Sequence, residues 1–204
     1  MNTTAGRYVL GFVALLVIVG SLTIAAVAIR RRFLEDWTGA PARLAELVSG
    51  LALLIGLLEL LGAVGWFGFA GVVGACLVAA LLIARRFGPL RTVAPARTPL
   101  EPPARGWSVR IAWLLALLGA ATVFAEWGAL TAQSYDVGIR GFDSLWYHLP
   151  WAASFAQTGR ITTLRFTDVE YLTAFYPATA EMLHGLGIVL LGRDTISPAL
   201  NLLW

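Results

Sequence analysis

The sequence predicts an all-α, polytopic transmembrane helical protein with an extracytoplasmic loop that carries an interfacial amphipathic helix. Of its 204 residues, 58% are hydrophobic and 13% are charged, and the mean hydropathy is +0.76. Soluble domains are about 45–50% apolar and about 25% charged. Apolar runs long enough to cross a bilayer recur along the chain, and the single cysteine, Cys76, excludes a disulfide scaffold. These observations exclude a freely soluble globular protein.

Four apolar runs are long enough to span the membrane. The first has no charged residue and would be about 33 Å long as a helix, against a hydrocarbon core of roughly 30 Å. Three arginines follow it and only Arg7 precedes it, which favours a retained helix over a cleaved signal peptide. The four predicted spans are Tyr8–Ile29, Leu44–Gly62, Trp66–Ala84 and Ile111–Thr131, with the second and third joined as a hairpin by residues 63–65.

The arginines set the predicted orientation. All 15 basic residues are Arg, and ten of them lie in the loop 30–43 or the segment 85–110. The positive-inside rule places both regions in the cytoplasm of a plasma-membrane protein, so the N-terminus and the loop at about 132–177 are extracytoplasmic. A short apolar stretch, Ala178–Leu191, is expected to return the chain to the cytoplasm as a fifth helix. Because the basic residues flank apolar spans, nucleic-acid binding is excluded.

Composition divides the chain into three parts. Residues 1–88 form an N-terminal three-helix transmembrane unit. Residues 89–106 hold five of the nine prolines and are predicted to be a cytoplasmic linker. Residues 107–204 begin a second transmembrane module, whose first extracytoplasmic loop covers about 132–177. Because the last apolar run, from Ile196, is too short to cross, we expect the chain to be the N-terminal portion of a longer or split protein.

The extracytoplasmic loop contains a candidate amphipathic helix. Asp143 is placed to cap it, Gly159 is placed to end it, and Pro150 should kink it or end its first part. One broad apolar side would be shared by Leu145, Trp146, Leu149, Ala153 and Phe155. A helix of this kind lies in the membrane interface.

From about Ile111 to Trp204 the sequence resembles the GT-C glycosyltransferases, polytopic enzymes that take a sugar from a polyprenyl-phosphate carrier on the outer side of the membrane. Members present an Asp near the start of the first extracytoplasmic loop, continue into an interfacial helix that ends in Gly, and reach a Tyr-Pro before the next span. The matching residues are Asp143, Tyr147-His148-Leu149-Pro150, Gly159, Tyr176-Pro177 and Glu181. The first three spans are extra, and Ser144 follows Asp143 where some members have a paired Asp-Glu.

The resemblance implies a membrane glycosyltransferase that moves a sugar from a polyprenyl-phosphate donor to a hydroxyl of an extracytoplasmic glycan, lipid or protein. Transfer with inversion needs a base that takes the proton of the acceptor hydroxyl, and Asp143 is the candidate. Helix capping is the alternative role for this residue. The rival function is a non-catalytic transporter or scaffold subunit that binds a lipid-linked glycan or a partner.

Further residues of the loop are candidates for binding the donor. Arginine side chains suit phosphate oxygens, and Arg140, Arg160 and Arg165 lie in the extracytoplasmic loop. Tyr147 and His148 lie on the predicted loop helix, where His148 could hydrogen-bond the donor phosphate or sugar.

Acidic residues on the neighbouring helices extend the candidate site. Glu126, near the outer end of the fourth span, would face protein or water and could line the site, although it could also reach the outer interface. Glu181 and His184 form an i, i+3 pair on one helix face, a spacing that can hold a metal. Some GT-C enzymes are metal-dependent and others are not, so the cofactor stays open between none and a divalent metal, Mg²⁺ or Mn²⁺.

Overall fold

The computed structural model describes residues 4–88, 106–164 and 177–200, and within these ranges the chain is helical without β-strands. Most of the predicted linker, together with Arg165 and Tyr176, lies outside the described residues. The helices are α1 (Thr4–Phe33), α2 (Gly39–Val64), α3 (Phe69–Phe87), α4 (Trp107–Val137), a π-helical segment (Ser144–His148), α5 (Leu149–Thr158), α6 (Thr179–Leu191) and α7 (Ser197–Leu200). The predicted all-α fold class is confirmed, because α1 to α4 are long and apolar enough to cross a membrane.

The predicted hairpin of the second and third spans is confirmed. Helix α2 ends at Val64, and Gly65 follows in the left-handed conformation with φ 84°. Its N–H bonds to the carbonyl of Leu61 and so satisfies one of the carbonyls that the helix end leaves open. Glycine suits this position because a Cβ would strain the left-handed backbone.

One end of the bundle formed by α1, α2 and α3, here called the arginine-rich end, holds the C-termini of α1 and α3 and the start of α2. The rings of Phe33 and Phe87 meet there with centroids 5.4 Å apart, so α1 and α3 finish together. Glu46 is buried and pairs with Arg30 at 3.0 Å and with Arg43 at 2.6 Å. A buried carboxylate is costly unless it is paired, and these two arginines provide the pairing.

The opposite end of the bundle is covered by a cap, which consists of the described residues between 142 and 192. Gly159 ends α5 in the left-handed conformation with φ 70°, as predicted. Its carbonyl accepts a hydrogen bond from the N–H of Phe67 at 3.0 Å, and the N–H of Ile161 donates to the carbonyl of Gly62 at 3.2 Å. These backbone bonds attach the segment after α5 to the turn between α2 and α3.

Helix α6 forms the core of the cap. It packs against α5 and α1, and nine of its 13 residues are buried. Trp151 and Phe155 of α5 are fully buried, together with Met182 of α6 and Phe67 of the α2–α3 turn. Burial of such large side chains contributes about 1.5–3 kcal/mol each, so this contact is a main source of stability for the cap.

The predicted apolar side of the loop helix is wrong at Leu145. This residue is 57% exposed, whereas Tyr147 is 6% exposed, and Phe155 is buried as predicted. The π-helical segment explains the difference, because each residue in it turns through a smaller angle than in an α-helix. The side chains that face the core therefore do not follow the α-helical spacing.

The predicted fifth crossing is wrong as well. Helix α6 has 13 residues and is about 20 Å long, shorter than the roughly 30 Å hydrocarbon core. Its C-terminal end lies beside the N-terminal end of α1, where Arg7 donates to the carbonyl of Val189 at 2.9 Å. Tyr135, near the C-terminus of α4, donates to the carbonyl of Thr195 at 2.6 Å. Arg193 therefore lies at the end of the molecule opposite the arginine-rich end.

Helix α4 is the least enclosed of the four candidate spans. None of its 31 residues is buried, and its main contact within the described chain is with α7. Nε1 of Trp127 donates to the carbonyl of Ala199 at 3.0 Å in that contact. The apolar surface of α4 therefore faces lipid or other helices.

Gly11 permits the close approach of α1 and α6. A Cβ at Gly11 would lie 2.5 Å from the carbonyl oxygen of Leu190, whereas one at Gly20 of the same helix would meet nothing within 4 Å. We expect Gly11→Ala to destabilise the protein by about 1–3 kcal/mol, because backbone must move to relieve the overlap. Gly20→Ala serves as the control in thermal unfolding of the detergent-purified protein. Equal unfolding temperatures for the two variants would contradict the close approach.

The position of Arg193 can be tested by cysteine labelling in a Cys76→Ala background. Arg86, Arg140 and Arg193 are exposed, and the structure places Arg193 at the same end as Arg140. We expect Arg140→Cys and Arg193→Cys to react with a membrane-impermeant maleimide from one side, and Arg86→Cys from the other. Labelling of Arg193→Cys from the same side as Arg86→Cys would restore the fifth crossing.

Candidate functional site

Asp143 lies in the first helical turn after α4, and its side chain is exposed. The predicted capping role is wrong, because Asp143 has helical dihedrals (φ −62°, ψ −36°) and makes no capping hydrogen bond. Helical winding already begins at Phe142, and the N–H of Leu145 bonds to the carbonyl of Gly141 at 3.1 Å. The carboxylate is therefore not engaged as a helix cap.

A π-helical turn follows Asp143 and ends at His148. The N–H of Leu149 bonds to the carbonyl five residues earlier, which defines this wider turn. In an α-helix, two side chains five residues apart point in directions about 140° apart. In the wider π-helical turn the angle between them is smaller, so Asp143 and His148 point toward the same side. Pro150 favours the wider turn, because it has no N–H and its ring clashes with the carbonyl four residues back in a regular helix.

Asp143 and His148 line one cavity together with His184 of α6. The cavity has a volume of about 340 Å³. Its lining residues are Gly141, Phe142, Asp143, Ser144, His148, Leu149, Ala180 and His184. The cavity thus joins two segments that are far apart in the sequence and combines one carboxylate with two imidazoles.

His148 forms a hydrogen bond with Glu181 of α6. Nδ1 of His148 donates a hydrogen bond to Oε1 of Glu181. The side chain of Glu181 is 1% exposed and that of His148 is 33% exposed, so the acid is buried and the imidazole reaches the cavity. With Nδ1 bonded to the carboxylate, Nε2 is the nitrogen left for a ligand, as an acceptor in the neutral ring or a donor in the charged one.

Tyr147 lies beneath His148 and not in the cavity wall. The Tyr147 ring is buried, with its centroid 4.1 Å from that of His148 and 5.2 Å from that of Trp151. Aromatic rings at these separations attract each other and restrict each other's orientation. Tyr147, which the sequence assigns to substrate binding, therefore helps to fix the orientation of the His148 ring.

Three other predicted site residues are not part of the cavity lining. Arg140 is exposed, and its Nε donates to a carbonyl in the last turn of α4 at 3.1 Å. The guanidinium of Arg160 lies against the α2–α3 turn, where a Cβ on Gly65 would be 3.1 Å from Cζ. Glu126 is exposed on α4. Arg165, the remaining predicted phosphate ligand, lies outside the described residues.

The predicted metal ligands, Glu181 and His184, are both buried on α6. One oxygen of Glu181 already accepts the hydrogen bond from His148. In residues 4–88, 106–164 and 177–200, no group of three or more His, Cys, Asp and Glu is arranged to hold a metal ion. Glu181 and His184 are therefore not part of a three-ligand cluster within the described residues.

Sequence reasoning misses the pairing of His148 with Glu181, since it assigns the two residues to separate roles. A signal for the pairing is present, because Glu181 interrupts an otherwise apolar run and a buried acid requires a partner. The chain has two histidines, so the number of candidate imidazole partners is small. Sequence spacing alone does not select between them.

Comparison of the chain with protein families, with curated proteins and with solved structures finds no match. The fold defines the class as a multi-pass helical membrane protein. Within the described chain, the cavity at the capped end of the bundle brings together the candidate residues Asp143, His148 and His184.

The pairing of His148 with Glu181 should appear as an energetic coupling. Loss of the imidazole leaves a buried carboxylate without its partner, so His148→Ala should cost more stability alone than in a Glu181→Gln background. We expect a coupling energy of about 1–3 kcal/mol from chemical unfolding in detergent. The same cycle with Glu126→Gln, an exposed acid on α4, should give a coupling near zero. Additive effects of His148→Ala and Glu181→Gln would contradict the pairing.

Proposed function

We propose that this protein is an integral membrane glycosyltransferase of the GT-C type, which transfers a sugar from a polyprenyl-phosphate donor to an extracytoplasmic acceptor hydroxyl. The observation that carries the proposal is the cavity in which the exposed Asp143 lies beside His148 and His184. Asp143 is free of a capping role, so its carboxylate is available for chemistry.

Asp143 is the general base in this proposal. Its carboxylate accepts the proton of the acceptor hydroxyl as that oxygen attacks the anomeric carbon of the sugar. The bond between the anomeric carbon and the donor phosphate oxygen breaks, and the polyprenyl phosphate departs with the bonding electrons. A phosphate leaves without protonation, so the reaction requires no strong general acid.

The placement of the cavity supports this assignment. The cavity lies in the cap, at the end of the molecule opposite the arginine-rich end. With the arginine-rich end in the cytoplasm under the positive-inside rule, the cavity is extracytoplasmic and lies beside the plasma membrane. A lipid-linked donor and a polar acceptor both have access to such a position.

Asp143→Asn is the direct test of the proposed base. The amide cannot accept the proton, so transfer should fall by about a hundredfold or more, while unfolding temperature should not change because the residue is exposed. The assay follows the transfer of radiolabelled sugar from the polyprenyl-linked pool in host membranes that lack the native copy.

Asp136→Asn is the matched control for this test. Asp136 is an exposed acid at the same end of α4 but does not line the cavity, so its variant should transfer at the native rate. Near-native transfer by Asp143→Asn would overturn the assignment. A non-catalytic transporter or scaffold subunit would then be favoured, with assembly impaired by changes at Trp146, since Trp151 is buried in the cap.

A further inference from the structure

The basic side chains in the described cavity lining are imidazoles and not guanidinium groups. Arg140 bonds to the C-terminal end of α4 and Arg160 lies against the α2–α3 turn, whereas His148 and His184 line the cavity. His148 is bonded to the buried carboxylate of Glu181 and its side chain is 33% exposed, whereas His184 is 2% exposed. These features identify His148 as the candidate side chain for binding an anion in the cavity.

We propose that Nε2 of His148 contacts the phosphate of the polyprenyl donor, and that Glu181 is the positioning residue that holds the imidazole for this contact. The proposal rests on the proposed function and deepens it, because it names the group that meets the leaving phosphate. Of the phosphate ligands that the sequence suggests, His148 and the loop arginines, it selects His148, and it adds Glu181 as the residue that positions the ring.

The buried carboxylate suits the imidazole to this task. When the ring carries both protons, Nδ1 donates to Glu181 and Nε2 donates to a phosphate oxygen. The charge of Glu181 compensates the charge of the imidazolium, and hydrogen bonds between ionised partners are about twice as strong as neutral ones. Negative charge on the phosphate grows as its bond to the sugar breaks, so this contact strengthens during the reaction.

The π-helical turn places this contact near the base. Asp143 and His148 line the same cavity. When the donor sugar occupies it, the phosphate of the donor can contact the imidazole while the hydroxyl of the acceptor contacts the carboxylate. Glu181 has no such access because its side chain is 1% exposed. Its effect on the donor must therefore pass through His148.

The experiment uses the full chain in nanodiscs, labelled with ¹⁵N-histidine, and farnesyl phosphate as the probe. These 204 residues contain two histidines, and the signals that disappear in His148→Gln and in His184→Gln assign the two imidazoles. Farnesyl phosphate should shift the Nε2 signal of His148 saturably, and farnesol, which lacks the phosphate, should not. Glu181→Gln should shift the Nδ1 signal even without the probe, since it replaces the carboxylate that accepts this hydrogen bond.

Affinity for radiolabelled farnesyl phosphate gives the second readout. We expect His148→Gln and Glu181→Gln each to weaken binding by about tenfold or more. The first removes the charge-assisted hydrogen bond to the phosphate, and the second removes the carboxylate that positions the imidazole for it. Glu181→Asp, which keeps the carboxylate, should recover part of the loss. Glu46→Gln is the matched control, since Glu46 is also buried and ion-paired but lies at the arginine-rich end.

The outcomes separate the inference from the function on which it rests. Native affinity in both His148→Gln and Glu181→Gln would overturn the role of His148 and leave the proposed transferase in place. Absence of saturable binding to the unmodified protein would overturn both. Thermal unfolding identifies a misfolded Glu181 variant. In that case His148→Gln decides, because that side chain is partly exposed and the Gln amide can still donate a hydrogen bond to Glu181.

Discussion

The burial of Glu181 constrains the arrangement of the whole cap. A carboxyl group with 1% exposure requires a hydrogen-bond partner, and His148 supplies it. This pairing brings α6 against the helical segment that follows α4, and the cavity forms between them. Because α6 also packs closely on α1 at Gly11, the cavity is fixed relative to the bundle. The bond between Glu181 and His148, together with the packing of α6 on α1, therefore fixes the position of the site relative to the transmembrane helices.

Local backbone geometry explains why Asp143 and His148 share the cavity. The two residues are five apart, a spacing that a regular α-helix would direct to different sides. Pro150 removes a backbone donor just beyond them, and the chain winds as a π-helix instead. The same winding exposes Leu145 and buries Tyr147. The π-helical turn thus explains both why α-helical periodicity mispredicts the buried side chains and why Asp143 and His148 line the same cavity.

The sequence predicts the spans well because long apolar runs have few alternatives in a bilayer, where the backbone must bond to itself. It predicts α6 poorly, because an apolar run of this length suits a buried helix as well as part of a span. The distinction depends on contacts between distant segments, such as the hydrogen bond from Arg7 to Val189. Composition carries no record of those contacts. The pairing of His148 with Glu181 escapes prediction for the same reason.

The two buried acids of the described bundle and cap differ in a way that indicates where a site belongs. Glu46 has both oxygens paired, with Arg30 and with Arg43, and guanidinium stays charged at every accessible pH. Glu181 has one oxygen bonded to His148, and Oε2 has no hydrogen-bond partner among the described residues. The first arrangement is suited to holding helices together, whereas the second positions the His148 ring at a cavity wall.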